Sequence, residues 1–481
     1  MTNHPAYPQY QRSTPERLLI LLILLILCCG CNGYRPPVPA ADEGFTVAPD
    51  QMLISLYLAA VGKPAARIAG ELAAIEISDG RLWLPLTMEP ATIDNTMGQG
   101  QQLLALADLP PADYTHLRLT FSTITVNGQP WFAETMPREL ELPLAGSLHW
   151  SAGSHCCLFL DWHQISLTPP DPFWHSFAGR WQALPLSTDL VTVICDRLNT
   201  VYQISPDRNQ VVGTLRLPGE LGESAYNDRR QRCYILGIDN RRLYVIDAST
   251  SRLVDGLPLP AAVAPRFLVL SPDGRFAYVS DPPANRITKL NLESGFVETQ
   301  NASILGPSRL LYRSGADRHD LVVAVPDEQA VYLLDPETLG IRRILALNRT
   351  PRQLLTVEDR LYVTDDTSST VGVYQWPAGT LITQIQVGRS PGEMAANAGR
   401  LYVCNVGDAS ISLILPRQNS DFRRLPAGAT PVDLAISPNW QKLYIANRDQ
   451  KKLTIRDLHT GTLLATVPLG DKPREITLWE P

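Results

Sequence analysis

Pro265-Arg-Phe-Leu-Val-Leu-Ser-Pro-Asp-Gly-Arg-Phe-Ala-Tyr-Val-Ser-Asp281 reads as a strand, a Ser-Pro-Asp-Gly turn and a second strand that ends on a small polar residue. The second strand recurs as Leu361-Tyr-Val-Thr-Asp365, Leu401-Tyr-Val-Cys-Asn405 and Leu443-Tyr-Ile-Ala-Asn447. Degenerate copies stand at Cys233-Tyr-Ile-Leu-Gly237 and Leu321-Val-Val-Ala-Val325. The leading proline recurs with it, at Pro265, Pro307, Pro351, Pro391, Pro431 and Pro473, with gaps of 42, 44, 40, 40 and 42 residues. A period of this length, carried by strands with polar turns between them, is the signature of a β-propeller in which each repeat is one four-stranded blade.

The two ends of the repeat region complement each other. Val191 to Leu217 has material for three strands and no proline-led inner strand, while Pro473-Arg-Glu-Ile-Thr-Leu-Trp479 is a lone copy of that strand. Pairing them predicts a ring of seven and removes the exposed sheet edge of an open array. An open or six-bladed arrangement with a free tail is the alternative.

Upstream, residues 51–187 show strand periodicity. Leu117, Leu119 and Phe121 fall on one face and His116, Arg118 and Thr120 on the other, as in a half-buried strand. Further candidates are Leu53 to Ala59, Ala73 to Ile77, Leu82 to Leu86, Leu140 to Leu144 and Cys157 to Trp162. The fold class expected is therefore all-β: an N-terminal antiparallel β-sandwich (51–187) followed by a seven-bladed β-propeller (188–481) closed by the C-terminal strand.

The amino end has the pattern of an export signal. Arg12 and Arg17 precede Leu18 to Leu27, an unbroken apolar run of Leu and Ile that is too short to span a bilayer as a helix. Cys28-Cys-Gly-Cys31 follows, and this resembles a bacterial lipoprotein signal. The resemblance implies removal of residues 1–30 and lipidation of Cys31, with Cys29 as the second candidate; Cys28 stands where such signals usually have an aliphatic residue. Asn32 implies sorting to the outer membrane in cells with two membranes. Residues 31–50 form a proline-rich tether that reaches at most ~50 Å at ~3.1 Å per residue.

Two further resemblances cover the globular parts. The repeated strand and the phrase from Pro265 to Val279, seen more loosely at Pro431 to Ile445, resemble the YVTN family of surface propellers. Leu109-Pro-Pro-Ala-Asp-Tyr-Thr-His-Leu-Arg-Leu119 and Leu158-Phe-Leu-Asp-Trp162 resemble the DUF4382 family of β-sandwich domains in bacterial lipoproteins, with Ala112 where that family prefers glycine. These resemblances imply a fold and a place in the cell envelope, not a ligand.

Composition narrows the function classes. A formal charge of -6, with no dense basic tract, argues against nucleic acid. Forty prolines in 481 residues suit a chain of short strands and loops. There is no Cys-x-x-Cys-His, P-loop, HExxH or zinc-type pair of Cys-x-x-Cys motifs. His149, His155, Cys156, Cys157, His163 and His175 form the one cluster resembling metal ligands, and alternation puts only His155 and Cys157 of the adjacent three on one face. Ordinary packing is the favoured reading. Cys156, Cys157, Cys195, Cys233 and Cys404 are expected to be buried thiols, and no cofactor is expected.

Loops of all blades converge where inner strands begin. The residues one and two places after each proline should sit there: Arg266, Arg309, Arg352, Arg474, Glu393, Asp433 and Glu475. They form a mixed-charge ring, either recognising a polar or anionic group on a partner or pairing with one another. Asp281, Asp365, Asp366, Asn405 and Asn447 are expected to stabilise turns. The chain thus reads as a monomeric, non-catalytic, membrane-anchored binding or scaffolding lipoprotein with a protein or polysaccharide partner. A lactonase-like or quinoprotein-like propeller enzyme is the alternative.

Overall fold

The computed structural model describes residues 50–480, apart from 63–65, 90–91, 97–99, 131–137, 146–150, 164–175, 184–185, 187–188, 316–317, 366 and 398. Cys31 and the tether therefore lie outside the described residues, as do His149, His175 and Asp366. No helix among the described residues is long and apolar enough to cross a membrane.

Residues 190–479 form seven four-stranded sheets arranged as the blades of a propeller. Blade 1 combines Leu190–Cys195, Thr200–Ser205 and Gln210–Arg216 with Pro473–Trp479 as its inner strand. The closing pair is antiparallel, with Val191 opposite Leu478 and Val193 opposite Ile476. The inner strands of blades 2 to 7 are Leu221–Asn227, Phe267–Leu270, Leu310–Ser314, Leu354–Val357, Pro391–Asn397 and Pro431–Ser437. Each contacts the next around the ring.

The repeated tyrosine is what packs one blade on another. Tyr234, Tyr278, Tyr362, Tyr402 and Tyr444 are almost wholly buried. Tyr278 Oη donates to Pro336 O of the next blade at 3.0 Å, and Tyr402 Oη donates to Leu458 O at 3.2 Å. In blades 5 and 7 a neighbouring cation takes the equivalent carbonyl: Arg360 donates to Pro416 O at 2.6 Å and Lys442 bonds Pro206 O. Both devices satisfy a turn carbonyl at the blade boundary while the aromatic ring fills the space between sheets.

The N-terminal region is one sheet of eleven described strands that nearly closes on itself. Its two edges are Trp83–Pro85, beside Ile68–Ser78, and Thr87–Met88, beside Gln101–Leu109. Only Leu86 separates these edges in the chain, and its N–H bonds Ile75 O at 2.9 Å. The flattened barrel encloses Ile54, Leu56, Leu58, Leu117, Leu119, Phe121, Leu158, Leu160 and Trp162. Two pairings differ from the antiparallel expectation: Met52–Val61 runs parallel to His155–His163, and Phe177–Trp181 runs parallel to Glu139–Ala145. Period-two alternation carries no information on strand direction, and near-closure brings together strands that no hairpin links.

Met52–Leu58 and His155–Leu160 are buried on both faces. Ile54, Leu56, Leu58, Cys156, Leu158 and Leu160 face the barrel core, while Tyr57, His155 and Cys157 bond groups of the propeller. His155 Nε2 bonds Ser55 Oγ at 2.7 Å and its Nδ1 bonds Thr200 Oγ1 of blade 1 at 3.0 Å. Two glutamines pair with the outer strand of blade 1 as a neighbouring strand would. Gln101 accepts from Val211 N at 2.9 Å and donates to Val211 O at 3.2 Å. Gln182 accepts from Thr214 N at 3.1 Å and donates to Thr214 O at 3.3 Å. The side-chain amides thereby cap a strand edge that would otherwise be open.

Candidate functional site

The second residue after each lead proline meets its counterparts in the central channel. In blade order these are Glu475, Glu223, Phe267, Arg309, Gln353, Glu393 and Asp433, with Leu221 standing where blade 2 lacks the proline. Arg309 of blade 4 forms ion pairs with Glu223 of blade 2 and Glu393 of blade 6. Neither blade adjoins blade 4, so these side chains meet across the channel. The four acidic positions lie on the contiguous blades 6, 7, 1 and 2, and each of those inner strands has a register shift at that point. A β-bulge of this kind re-aims a side chain.

The acids close the ring by a repeated bond. Glu475 accepts from Ser224 N of blade 2 at 2.7 Å, Glu223 from Leu268 N of blade 3 at 2.8 Å, and Asp433 from Ile476 N of blade 1 at 2.6 Å. Each carboxylate thus bonds the N–H at the third position after the lead residue of the following blade. Glu393 breaks the pattern by bonding Arg309 and Gln353 instead, while Leu434 N turns to Asp433 Oδ1 at 2.7 Å.

Burial sets the acidity of this cluster. Desolvation, then repulsion from Glu393 and Glu475, holds the Asp433 carboxyl well above the usual carboxylate range. Desolvation likewise raises Glu475 to about 7, although the Ser224 N–H, Arg309 and Arg474 pull it down. Glu475 Oε2 is enclosed without a hydrogen-bond partner among the described residues. The two groups titrate as a pair.

Residues one place after the proline lie outside this central cluster. Arg474 donates to Leu221 O at 2.7 Å and lies 3.7 Å from Asp196 and 3.6 Å from Glu220. Arg266 shares Glu220 at 3.6 Å and is 41% exposed. A Cβ built on Gly392 would lie 3.5 Å from the Arg352 guanidinium carbon, which places Arg352 at the boundary of blades 5 and 6. The structure therefore gathers Arg309, Glu393, Asp433 and Glu475 in the channel and sets Arg266, Arg352 and Arg474 beside it. Glu223 and Gln353 were missed in the sequence. Glu223 is legible in hindsight: Leu221 stands thirteen residues before Tyr234, the same spacing as Pro265 to Tyr278 and Pro431 to Tyr444.

Turn residues on the same face act on backbone. Asp281 accepts from Ala264 N at 3.1 Å and Ala284 N at 3.3 Å, Asp365 from Thr367 N at 2.8 Å, and Asn405 from Gly388 N at 3.1 Å. Asn447 donates to Thr454 Oγ1 at 2.8 Å. Among the described residues no group of three or more His, Cys, Asp or Glu side chains is placed to hold a metal ion. Burial lowers His155 to about 3, so it is neutral at physiological pH. Among the described residues the thiols of Cys156, Cys157, Cys195, Cys233 and Cys404 are buried and form no disulfide.

No family model matches the chain, and no curated protein does. Among solved structures it is similar to a functionally unknown protein from Desulfotomaculum acetoxidans, at 11% identity and a TM-score of 0.54, covering 61% of this chain and all of that one. It is also similar to dihydro-heme d1 dehydrogenase NirN, at 14% identity and a TM-score of 0.47, covering 61% of this chain and 76% of that one. Kuenenia stuttgartiensis hydrazine synthase matches at 15% identity and a TM-score of 0.44, covering 52% of this chain and 92% of that one. At 11% identity, the likeness to the Desulfotomaculum acetoxidans protein speaks to fold alone.

Proposed function

We propose that this chain is a non-catalytic binding or scaffolding lipoprotein, a YVTN-like propeller on a DUF4382-like sandwich, anchored through Cys31 and engaging a protein or glycan at the cell envelope. The observation that carries this reading is how the central charges are used. Glu223, Asp433 and Glu475 bond the following blade's backbone, and Arg309 ties Glu223 to Glu393. These bonds make the ring a rigid platform, and a rigid platform suits presentation of the surrounding surface. Arg266, Arg352 and Arg474 stand at its mouth as the cations for an anionic group on the partner.

In-cell crosslinking from the mouth tests the reading. A photoreactive residue in place of Val263, which is exposed just before the lead proline of blade 3, should capture a defined partner, and adding Arg266→Ala, Arg352→Ala and Arg474→Ala to that chain should abolish the capture. Persistence of capture in the triple variant refutes the mouth assignment. Cys31→Ala should release the chain from the membrane fraction, and retention there refutes the anchor.

One observation favours the alternative, a propeller enzyme. Asp433 and Glu475 form a pair whose acidities are raised by burial, and Glu475 Oε2 is unpartnered, an arrangement suited to holding a proton near neutral pH. A stoichiometric metal ion in the purified chain, or a hydrolytic activity removed by Asp433→Asn, would select this second reading.

A further inference from the structure

A cleft of about 380 Å³ lies where the N-terminal sheet meets blade 7. This is within the ~300–1,000 Å³ range of small-molecule sites, which favour domain junctions. One wall is Glu89 with Gln101, Gln102 and Leu103; the other is the Gln450-Lys451-Lys452 turn with Thr466 and Pro468 to Gly470. Pro431 pairs with Asn447, so this turn opens on the face where the inner strands begin.

The walls are held in place by bonds that leave certain groups free. Gln101 is locked onto Val211, and Gln102 donates to Thr92 O at 2.7 Å. Glu89 N donates to Leu104 O and Leu469 N to Lys451 O, both at 2.8 Å. Tyr57 Oη donates to Pro468 O at 3.3 Å across the junction. Among the described residues the ammonium groups of Lys451 and Lys452, the amide nitrogen of Gln450 and the carboxylate of Glu89 have no partner. Two free cations against one free anion leave the cleft with a net positive charge, and Leu103, Pro468 and Leu469 give it an apolar floor.

We propose that this cleft binds an acidic saccharide, a carboxylate-bearing polyol of the uronate type. The carboxylate is taken by Lys451 and Lys452 in charge-assisted bonds, hydroxyls by the Gln450 amide and by Glu89, and the apolar face of the sugar ring by Leu103 and Leu469. A peptide is the poorer fit, since the lining offers neither an aromatic anchor nor a deep apolar pocket. The proposal deepens the reading of the protein as an envelope binder and names the glycan arm of it, but it does not depend on the mouth arginines.

Calorimetric titration of the full chain in detergent micelles tests it, with tetragalacturonate, free galacturonate, maltotetraose and a short polyglutamate peptide as probes. Tetragalacturonate should bind and maltotetraose should not. The Lys451→Gln, Lys452→Gln double variant should bind at least about tenfold more weakly, the ratio that ~1.4 kcal/mol represents. Glu89→Gln should bind tetragalacturonate more tightly, an outcome that misfolding cannot mimic. Free galacturonate binding as well as the tetramer assigns the site to a free acidic sugar, whereas preference for the tetramer assigns it to a polymer; either supports the proposal. Unchanged affinity in the lysine variant, equal binding of maltotetraose or polyglutamate, or no binding of any probe overturns it. The Arg266→Ala, Arg352→Ala, Arg474→Ala variant should keep its affinity. Loss there with the lysine variant unaffected would move the ligand to the mouth, sinking this proposal and sparing the reading above.

Discussion

Replacing Glu475 by glutamine should make the protein more stable at pH 8.5 and leave it nearly unchanged at pH 5. The Gln side chain keeps the acceptor for Ser224 N, which Glu475 now serves at 2.7 Å, and removes only the charge. The carboxyl has an ordinary value of 4.5 and sits at about 7 in the folded chain. Its proton is thus held more tightly folded than unfolded, so stability falls as pH rises from about 4.5 to about 7 and then levels off. A gap of roughly 2.5 units at ~1.36 kcal/mol each is about 3 kcal/mol, and solvent access to part of the side chain trims this toward 2 kcal/mol. Asp433 shifts in the same direction and is relieved by the same substitution, because Glu475 is one of the charges that raises it. Urea unfolding followed by tryptophan fluorescence at the two pH values is the assay. A midpoint that rises at pH 8.5 and not at pH 5 is the expected result. Equal destabilisation at both pH values would refute the reasoning, since it would mean that the charge stabilises the ring through Arg309 and Arg474.

Arg309→Met should leave Glu223 and Glu393 facing each other across the channel without their shared cation, costing about 3 kcal/mol in an unfolding experiment; a change below ~1 kcal/mol would show that the bridge contributes little. His155→Ala removes bonds to both Ser55 and Thr200 and leaves a cavity at the junction, an expected loss of about 2–4 kcal/mol in an unfolding experiment. With its folded value near 3, below the usual 6.5, His155 contributes stability that is lost as pH falls below about 6.5, opposite in sign to Glu475, so native stability should peak near pH 6 and the alanine variant should lose the acid limb. Cys156, Cys157, Cys195, Cys233 and Cys404 should resist a thiol reagent until denaturant is added, and rapid labelling of any of them in the native protein would contradict its burial.

The ring was legible because its signals are local and repeated. Proline at the start of each inner strand, tyrosine in the second strand and a period near 42 residues fix blade boundaries, and the unmatched Pro473 to Trp479 segment implies closure before any contact is known. Alternation at Leu117, Leu119 and Phe121 located the strand His116–Val126 correctly. Gln101–Leu109 went unseen, and so did the contact between the two domains. That contact is written in residues that look like core strand in either phase: Leu53 and Tyr57 are as buried as Ile54 and Leu56, and only the presence of a second surface explains both. At the mouth, proline spacing found Arg309, Glu393, Asp433 and Glu475 but could not separate channel residues from their neighbours. A bulge decides which side chain turns inward, and a bulge has no sequence mark when the extra residue is Arg474 in one blade and Gly392 in another.

The account stands on Pro473–Trp479 completing blade 1, and native-state hydrogen exchange of the intact chain tests that most directly. Amides in 190–195 and 474–479 should exchange with the slowest class, alongside the inner strands of blades 6 and 7, because both ends of the ring are then held in one ladder. Exchange of the 474–479 amides at the rate of an unstructured peptide, with the rest of the propeller protected, would contradict closure.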